Sequence, residues 1–126
     1  MNHCFIPHLD MQVDIQEYAQ KIFENALRIE YFDEDKICGF LGCYMNESEN
    51  FSFITTISVE PAYHKKGIAQ LLLNTLVNVC LANRNIHRIQ LEVAEVNSKA
   101  ISFYKKNNFI KIEQKSQIQI LAKEIK

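Results

Sequence analysis

VEPAYHKKGIAQLLL, residues 59–73, is the stretch on which the fold turns. Ahead of it, Phe51–Val59 is rich in β-branched and aromatic residues, which predicts a strand. Pro61 has no amide hydrogen to give a ladder and ends that strand. Behind it, Ile68–Leu81 is apolar over most of its circumference, with Leu72, Leu76 and Val79 as the cleanest stripe. Such a pattern predicts a helix covered on more than one side. Between strand and helix stands Gly67, one of three glycines in 126 residues, directly after the pair Lys65–Lys66.

The flanks extend this unit. Ala26–Phe32 and Ile37–Tyr44 read as strands joined by the acidic turn Asp33-Glu34-Asp35-Lys36, a hairpin with a solvated tip. The polar run 46–50 is a second turn. Val13–Phe23 has near-helical apolar spacing, with Asp10 or Asp14 available as a cap. Past the central helix, Ile86–Val93 reads as a strand and Asn97–Asn107 as a helix capped by Asn97. Phe109–Ile125 supplies one or two further strands. A strand–helix–strand crossover makes Phe51–Val59 and Ile86–Val93 parallel neighbours. The expected architecture is an α/β (α+β) fold in a single domain, 1–126. Its sheet is mixed, mostly antiparallel and twisted, flanked by helices and holding one parallel strand pair.

Composition narrows the function. The formal net charge is −1, so the basic surplus of a nucleic-acid binder is missing. Cys4, Cys38, Cys43 and Cys80 form no C-x-x-C pair, and the four histidines are scattered. The expectation is reduced, mostly buried thiols and no metal site. The start, MNHCFIPHLD, lacks a signal-peptide pattern, and no apolar run approaches the roughly 20 residues of a membrane span. A cytoplasmic protein with no membrane or nucleic-acid partner is expected.

The chemistry concentrates at two places. The first amides of a helix have no internal partner, and the helix dipole adds about half a positive charge there. An anion over that end is held by main chain, provided that the contact positions are small, as Gly67 and Ala69 are. Lys65 and Lys66 add charge, so the local chemistry is that of a phosphate or pyrophosphate site. Neither G-x-x-x-x-G-K-[ST] nor G-x-G-x-x-G is present. The second place is LEVAEVNSKAISFYKKNNF, residues 91–109, where Asn97, Ala100, Ile101 and Tyr104 share one helix face. Two parallel strands, each followed by a helix, bring both helix starts to one sheet edge, where ligands bind. A tyrosine hydroxyl there can donate a proton or simply sit at the rim.

ISVEPAYHKKGIAQLLL resembles the coenzyme-A motif Q/R-x-x-G-x-G/A of the GNAT superfamily of N-acetyltransferases, and NSKAISFYKKNNF resembles that family's second motif. The resemblance extends to the hairpin CGFLGCYMN and covers most of the chain from about Val13. It implies the acyl-CoA N-acyltransferase fold, with the parallel pair at the cofactor cleft. It also implies transfer of an acetyl group from acetyl-CoA to an amine, without a metal. On this resemblance Ile57, Ser58 and Val59 match the segment that holds the pantetheine arm. Lys65, Lys66, Gly67, Ile68, Ala69 and Gln70 match the pyrophosphate loop, and Asn97 a residue touching the cofactor. Tyr104 matches the general acid. Glu92 stands where similar ribosomal-protein N-terminal acetyltransferases carry a catalytic glutamate; Glu60, a second candidate base, is expected to be solvated. Tyr44, Asn46, Phe53 and Thr55 are expected to border the acceptor pocket, and a homodimer is plausible on family grounds. His64 departs from the preferred Gln or Arg. Asn108 replaces a glycine where a left-handed turn is needed, a conformation that Asn tolerates. A non-catalytic acyl-CoA-binding or sensor domain is the alternative.

Overall fold

The computed structural model describes residues 26–126; the helix expected over Val13–Phe23 lies outside the described residues. Three strands come first, β1 (Ala26–Asp33), β2 (Lys36–Asn46) and β3 (Phe51–Val59). A 3-10 turn at Pro61–Tyr63 leads into helix α1 (Ile68–Ala82). Then come β4 (Arg88–Ala94), helix α2 (Ser98–Lys106), β5 (Ile110–Lys115) and β6 (Ile118–Glu124). The sheet order is β1-β2-β3-β4-β6-β5. Among the described strands, β3 and β4 are the parallel pair, and every other pairing is antiparallel. The mixed sheet matches the expected fold class.

Both helices lie against one buried cluster that includes Leu41, Ile54, Leu76, Leu91 and Tyr104. α1 rests on β1, β2 and β3. Its buried face is Ile68, Leu72, Leu73, Leu76 and Cys80. Val79, placed on the stripe by spacing, is only half-buried, whereas Leu73 is fully covered. A helix that is apolar nearly all round does not announce its inner face, and the sheet beneath it chooses. Ile86 precedes β4 rather than opening it, yet it is completely buried. The C-terminal segment resolves into two strands, joined across Ser116 at φ 55°. Asn108 has φ 73°, the left-handed turn expected of it.

Gly39 sets how closely α1 approaches the sheet. A Cβ there would stand 2.6 Å from Ile68 Cγ2 and 3.3 Å from Leu72 Cδ1. Ile68 is the first helical residue, so the contact also fixes the height of the α1 N-terminus above β2. Gly39→Ala is therefore expected to cost about 1–3 kcal/mol through overpacking, read as a lower urea midpoint with an unchanged slope. An unaltered midpoint would mean that the helix start yields freely.

Candidate active site

The parallel strands part where β3 is bulged. β3 and β4 pair from Phe51↔Arg88 to Ile54↔Leu91 and no further. On the other side of β3, Cys43 opposes Ile54 while Gly42 opposes Thr56, so Thr55 is the extra residue of a bulge. Its hydroxyl donates to Gly42 O at 3.1 Å and holds the bulge closed. A bulge bends its strand and increases the twist, which carries Thr55–Val59 away from β4. The outer edges remain paired, β3 with β2 as far as Val59 and β4 with β6 as far as Ala94. The inner edges of Thr55–Val59 and Glu92–Ala94 are left facing each other without ladder partners. The gap is a cleft of about 210 Å³ lined by Thr55, Ile57, Glu92, Asn97 and Tyr104, among others. A thin, extended ligand bearing amides can lie in such a gap and take up those main-chain groups as an added strand would.

The loop after β3 ends in an open helix start. Lys65 has φ 67° and Gly67 φ 79°, two left-handed residues that turn the chain into α1. Gly67 is the N-cap, no side chain caps the helix, and a Cβ at Gly67 would meet nothing within 4 Å. The glycine answers a backbone demand and leaves the approach clear. Leu71 N donating to Gly67 O, at 3.0 Å, closes the first helical turn. The amides of Ile68, Ala69 and Gln70 lie ahead of that bond and point out of the helix end. A helix start left open in this way can receive an anion on main-chain amides, and Lys65 and Lys66 are exposed beside it.

Three contacts hold the loop to the sheet. His64 Nε2 lies 2.9 Å from Val59 O, and Glu60 N donates to Cys38 O at 2.9 Å. The Tyr63 hydroxyl donates to Asp33 Oδ2 at 2.6 Å, and this bond pushes the Tyr63 pKa up to about 12. The acidic hairpin tip is thus a tether for the loop as well as a solvated turn. Glu60, expected to be solvated, is 7% exposed, with Oε1 3.3 Å from Lys36 Nζ. Lys36 of the β1–β2 hairpin stands against that carboxylate, an effect of tertiary contact that local sequence does not carry.

Tyr104 enters from α2. It is 6% exposed, and burial pushes its pKa up to about 12, so it is protonated at neutral pH. Asn97 caps this helix, Oδ1 accepting from Ala100 N at 3.2 Å, which occupies the side chain expected at the cofactor. The other end is a Schellman turn. Phe109 N donates to Tyr104 O at 3.1 Å and Asn108 N to Lys105 O at 3.0 Å. The Phe109 ring meets Tyr104 edge-on, centroids 5.4 Å apart. Backbone, ring and burial together leave Tyr104 little freedom. Alternation along β4 buries Leu91 and Val93 on the Tyr104 side and turns exposed Glu92 to the other face. The Tyr104 hydroxyl and the Glu92 carboxylate therefore flank the cleft from opposite faces of the sheet.

The remaining expected site residues are spread along the cleft and beyond it. Ile57 and Val59 pack half-buried against the core, while Ser58 is buried with its hydroxyl 3.5 Å from that of Thr56. The Gln70 side chain is paired with Asn107 rather than directed at the helix mouth. Tyr44 and Asn46 line a separate hollow at the β2–β3 turn, where Asn46 Oδ1 accepts from Ser48 Oγ and Glu49 N. Phe53 lies opposite Tyr44, before the bulge. The Thr55 bulge and the Gln70–Asn107 pair are the features that sequence reasoning missed. Among the described residues, no group of three or more His, Cys, Asp or Glu is placed to hold a metal ion. No described helix is long and apolar enough to cross a membrane.

Comparison with known proteins agrees with this geometry. The family model described as Acetyltransferase (GNAT) family matches residues 3–109. N-alpha-acetyltransferase 50 of Danio rerio is 29% identical over 106 residues, covering 78% of this chain and 62% of the relative. Spermidine N(1)-acetyltransferase of Vibrio cholerae is 29% identical over 100 residues, covering 74% and 55%. The chain thus spans under two thirds of the length of both. Among solved structures, the PaiA N-acetyltransferase of Thermoplasma acidophilum, in complex with coenzyme A, superposes with a TM-score of 0.73 at 24% identity. That match covers 79% of this chain and 61% of the other. The ribosomal-protein-S18-alanine N-acetyltransferase of Escherichia coli gives 0.73 at 21% identity, covering 87% and 76%. At these identities the two structures establish the fold.

Proposed function

Because the chain belongs to the acetyltransferase (GNAT) family, we propose that it transfers an acetyl group from acetyl-CoA to a primary amine. One observation carries the reading. The gap opened by the Thr55 bulge is lined by Tyr104, and β3 on its other side runs on through the loop to the uncapped first turn of α1. The amides of Ile68, Ala69 and Gln70, with Lys65 and Lys66, take the pyrophosphate. The inner edges of Thr55–Val59 and Glu92–Ala94 hold the pantetheine arm. The two curated relatives carry different amines in their names, an α-amine and spermidine N(1), which supports an amine acceptor without selecting one.

The amine nitrogen attacks the thioester carbonyl, a C–N bond forms, and the C–S bond breaks. Tyr104 gives its proton to the departing sulfur. Glu92, on the other face of the cleft, takes the proton released by the amine, directly or through water. Holding both reactants in one gap supplies much of the acceleration. Thr55 and Phe53 of β3 border the acceptor side, with Tyr44 and Asn46 beyond them on the adjoining strand β2.

The test is calorimetric titration with acetyl-CoA followed by a coenzyme-release assay over amines, polyamines, amino sugars and peptide N-termini. Binding with release from at least one amine is expected. Binding without release from any would favour the alternative of an acyl-CoA sensor, and failure to bind would reject both.

A further inference from the structure

We propose that the paired carboxamides of Gln70 and Asn107 are positioning residues that set Tyr104 at the right place relative to the coenzyme loop, an inference that rests on the function proposed above. Gln70 Nε2 donates to Asn107 Oδ1 at 2.6 Å, and Asn107 Nδ2 donates back to Gln70 Oε1 at 3.2 Å. Two opposed hydrogen bonds between planar amides fix orientation as well as distance. The pair joins the two halves of the site. Gln70 is the third residue of α1, in the same turn as the anion-binding amides. Asn107 is the C-cap of α2, three residues past Tyr104.

Each partner is itself held. Gln70 Nε2 also donates to Asn74 Oδ1 at 2.9 Å, one turn on along α1. Asn107 Nδ2 donates to Phe103 O at 2.9 Å, and Asn107 N donates to Tyr104 O at 3.0 Å. From β6, Lys123 Nζ donates to Asn107 O at 2.8 Å. The end of α2 that carries Tyr104 is thus anchored on one side to the coenzyme helix and on the other to the sheet. Neither helix needs the bridge for its own ends: α2 has the Asn97 cap and the Schellman turn, and α1 starts at a glycine. The bridge instead fixes one helix relative to the other, and misplacement of a reacting group by about 1 Å costs up to a hundredfold in rate.

The experiment is a mutant cycle read as kcat and as affinity for acetyl-CoA. Asn107→Ala is expected to lower kcat about tenfold while changing the coenzyme dissociation constant less than about threefold. In a chain already carrying Tyr104→Phe, the same substitution is expected to lower kcat less than about twofold, because the group it positions is gone. A purely structural role would reduce both backgrounds alike. Should Asn107→Ala fail to fold, Gln70→Met keeps the helix and the main-chain amide and is expected to show the same pattern. Equal losses in both backgrounds, or no loss in the first, overturn the bridge alone. An unsubstituted chain that releases no coenzyme with any amine overturns the bridge and the proposed function together.

Discussion

Gly67→Asp is expected to weaken acetyl-CoA binding by at least about a hundredfold, while Gly67→Asn weakens it far less. Both substitutions meet the same backbone demand, since φ at Gly67 is 79° and Asn and Asp visit that region more readily than other side chains. Both therefore carry a similar strain, of about 1–2 kcal/mol, on folding. Neither strikes the protein, because a Cβ at this position meets nothing within 4 Å. They differ in charge. A carboxylate about 4 Å from a phosphate oxygen costs about 4 kcal/mol at an effective dielectric near 20, and a tenfold loss in affinity needs only about 1.4 kcal/mol. Added salt should narrow the gap between the two variants, since the loop is exposed. Titration calorimetry at two ionic strengths measures this, and equal affinities for the two variants would place the diphosphate elsewhere.

Tyr104→Phe is expected to lower kcat about a hundredfold with the coenzyme dissociation constant within about threefold of the unsubstituted chain. The ring is retained, so its contacts with Phe103 and Phe109, at centroid distances of 5.3 and 5.4 Å, survive. Only the hydroxyl group, and with it the proton to be donated, is removed. The pH profile gives a second signature. A general acid works while protonated, and burial has moved this hydroxyl from the usual 10.0 up to about 12. Loss of activity through Tyr104 ionisation therefore belongs near pH 12, and a decline at pH 10 must come from another group. Unchanged turnover in the phenylalanine variant would remove Tyr104 from the chemistry.

Much of this was legible in the sequence because the determinants are local. Strand Phe51–Val59, the break at Pro61 and the glycine-started helix follow from residue types read in order. The Asn97 cap and the left-handed Asn108 likewise depend on a few neighbouring positions. What stayed hidden depends on residues far apart in the chain. Thr55 is a bulge only because Cys43 and Gly42 take up the partners on either side of it. Gln70 and Asn107 are separated by 37 residues, and nothing in either segment names the other. Glu60 looks exposed beside a proline until the β1–β2 hairpin and the Lys36 ammonium are brought over it. Leu73 and Val79 exchange roles because they lie on the two flanks of the Leu72–Leu76 stripe, and the sheet decides which flank is covered.

The central claim is that the bulge at Thr55 and the open start of α1 together form one track for the coenzyme. Amide chemical shifts followed during titration of isotope-labelled protein with coenzyme A test it most directly. The account predicts that the largest changes fall on Gly67–Leu71 and on the facing edges Thr55–Val59 and Glu92–Ala94. Changes confined to the β2–β3 turn or to the β5–β6 hairpin, with the α1 start unmoved, would contradict it.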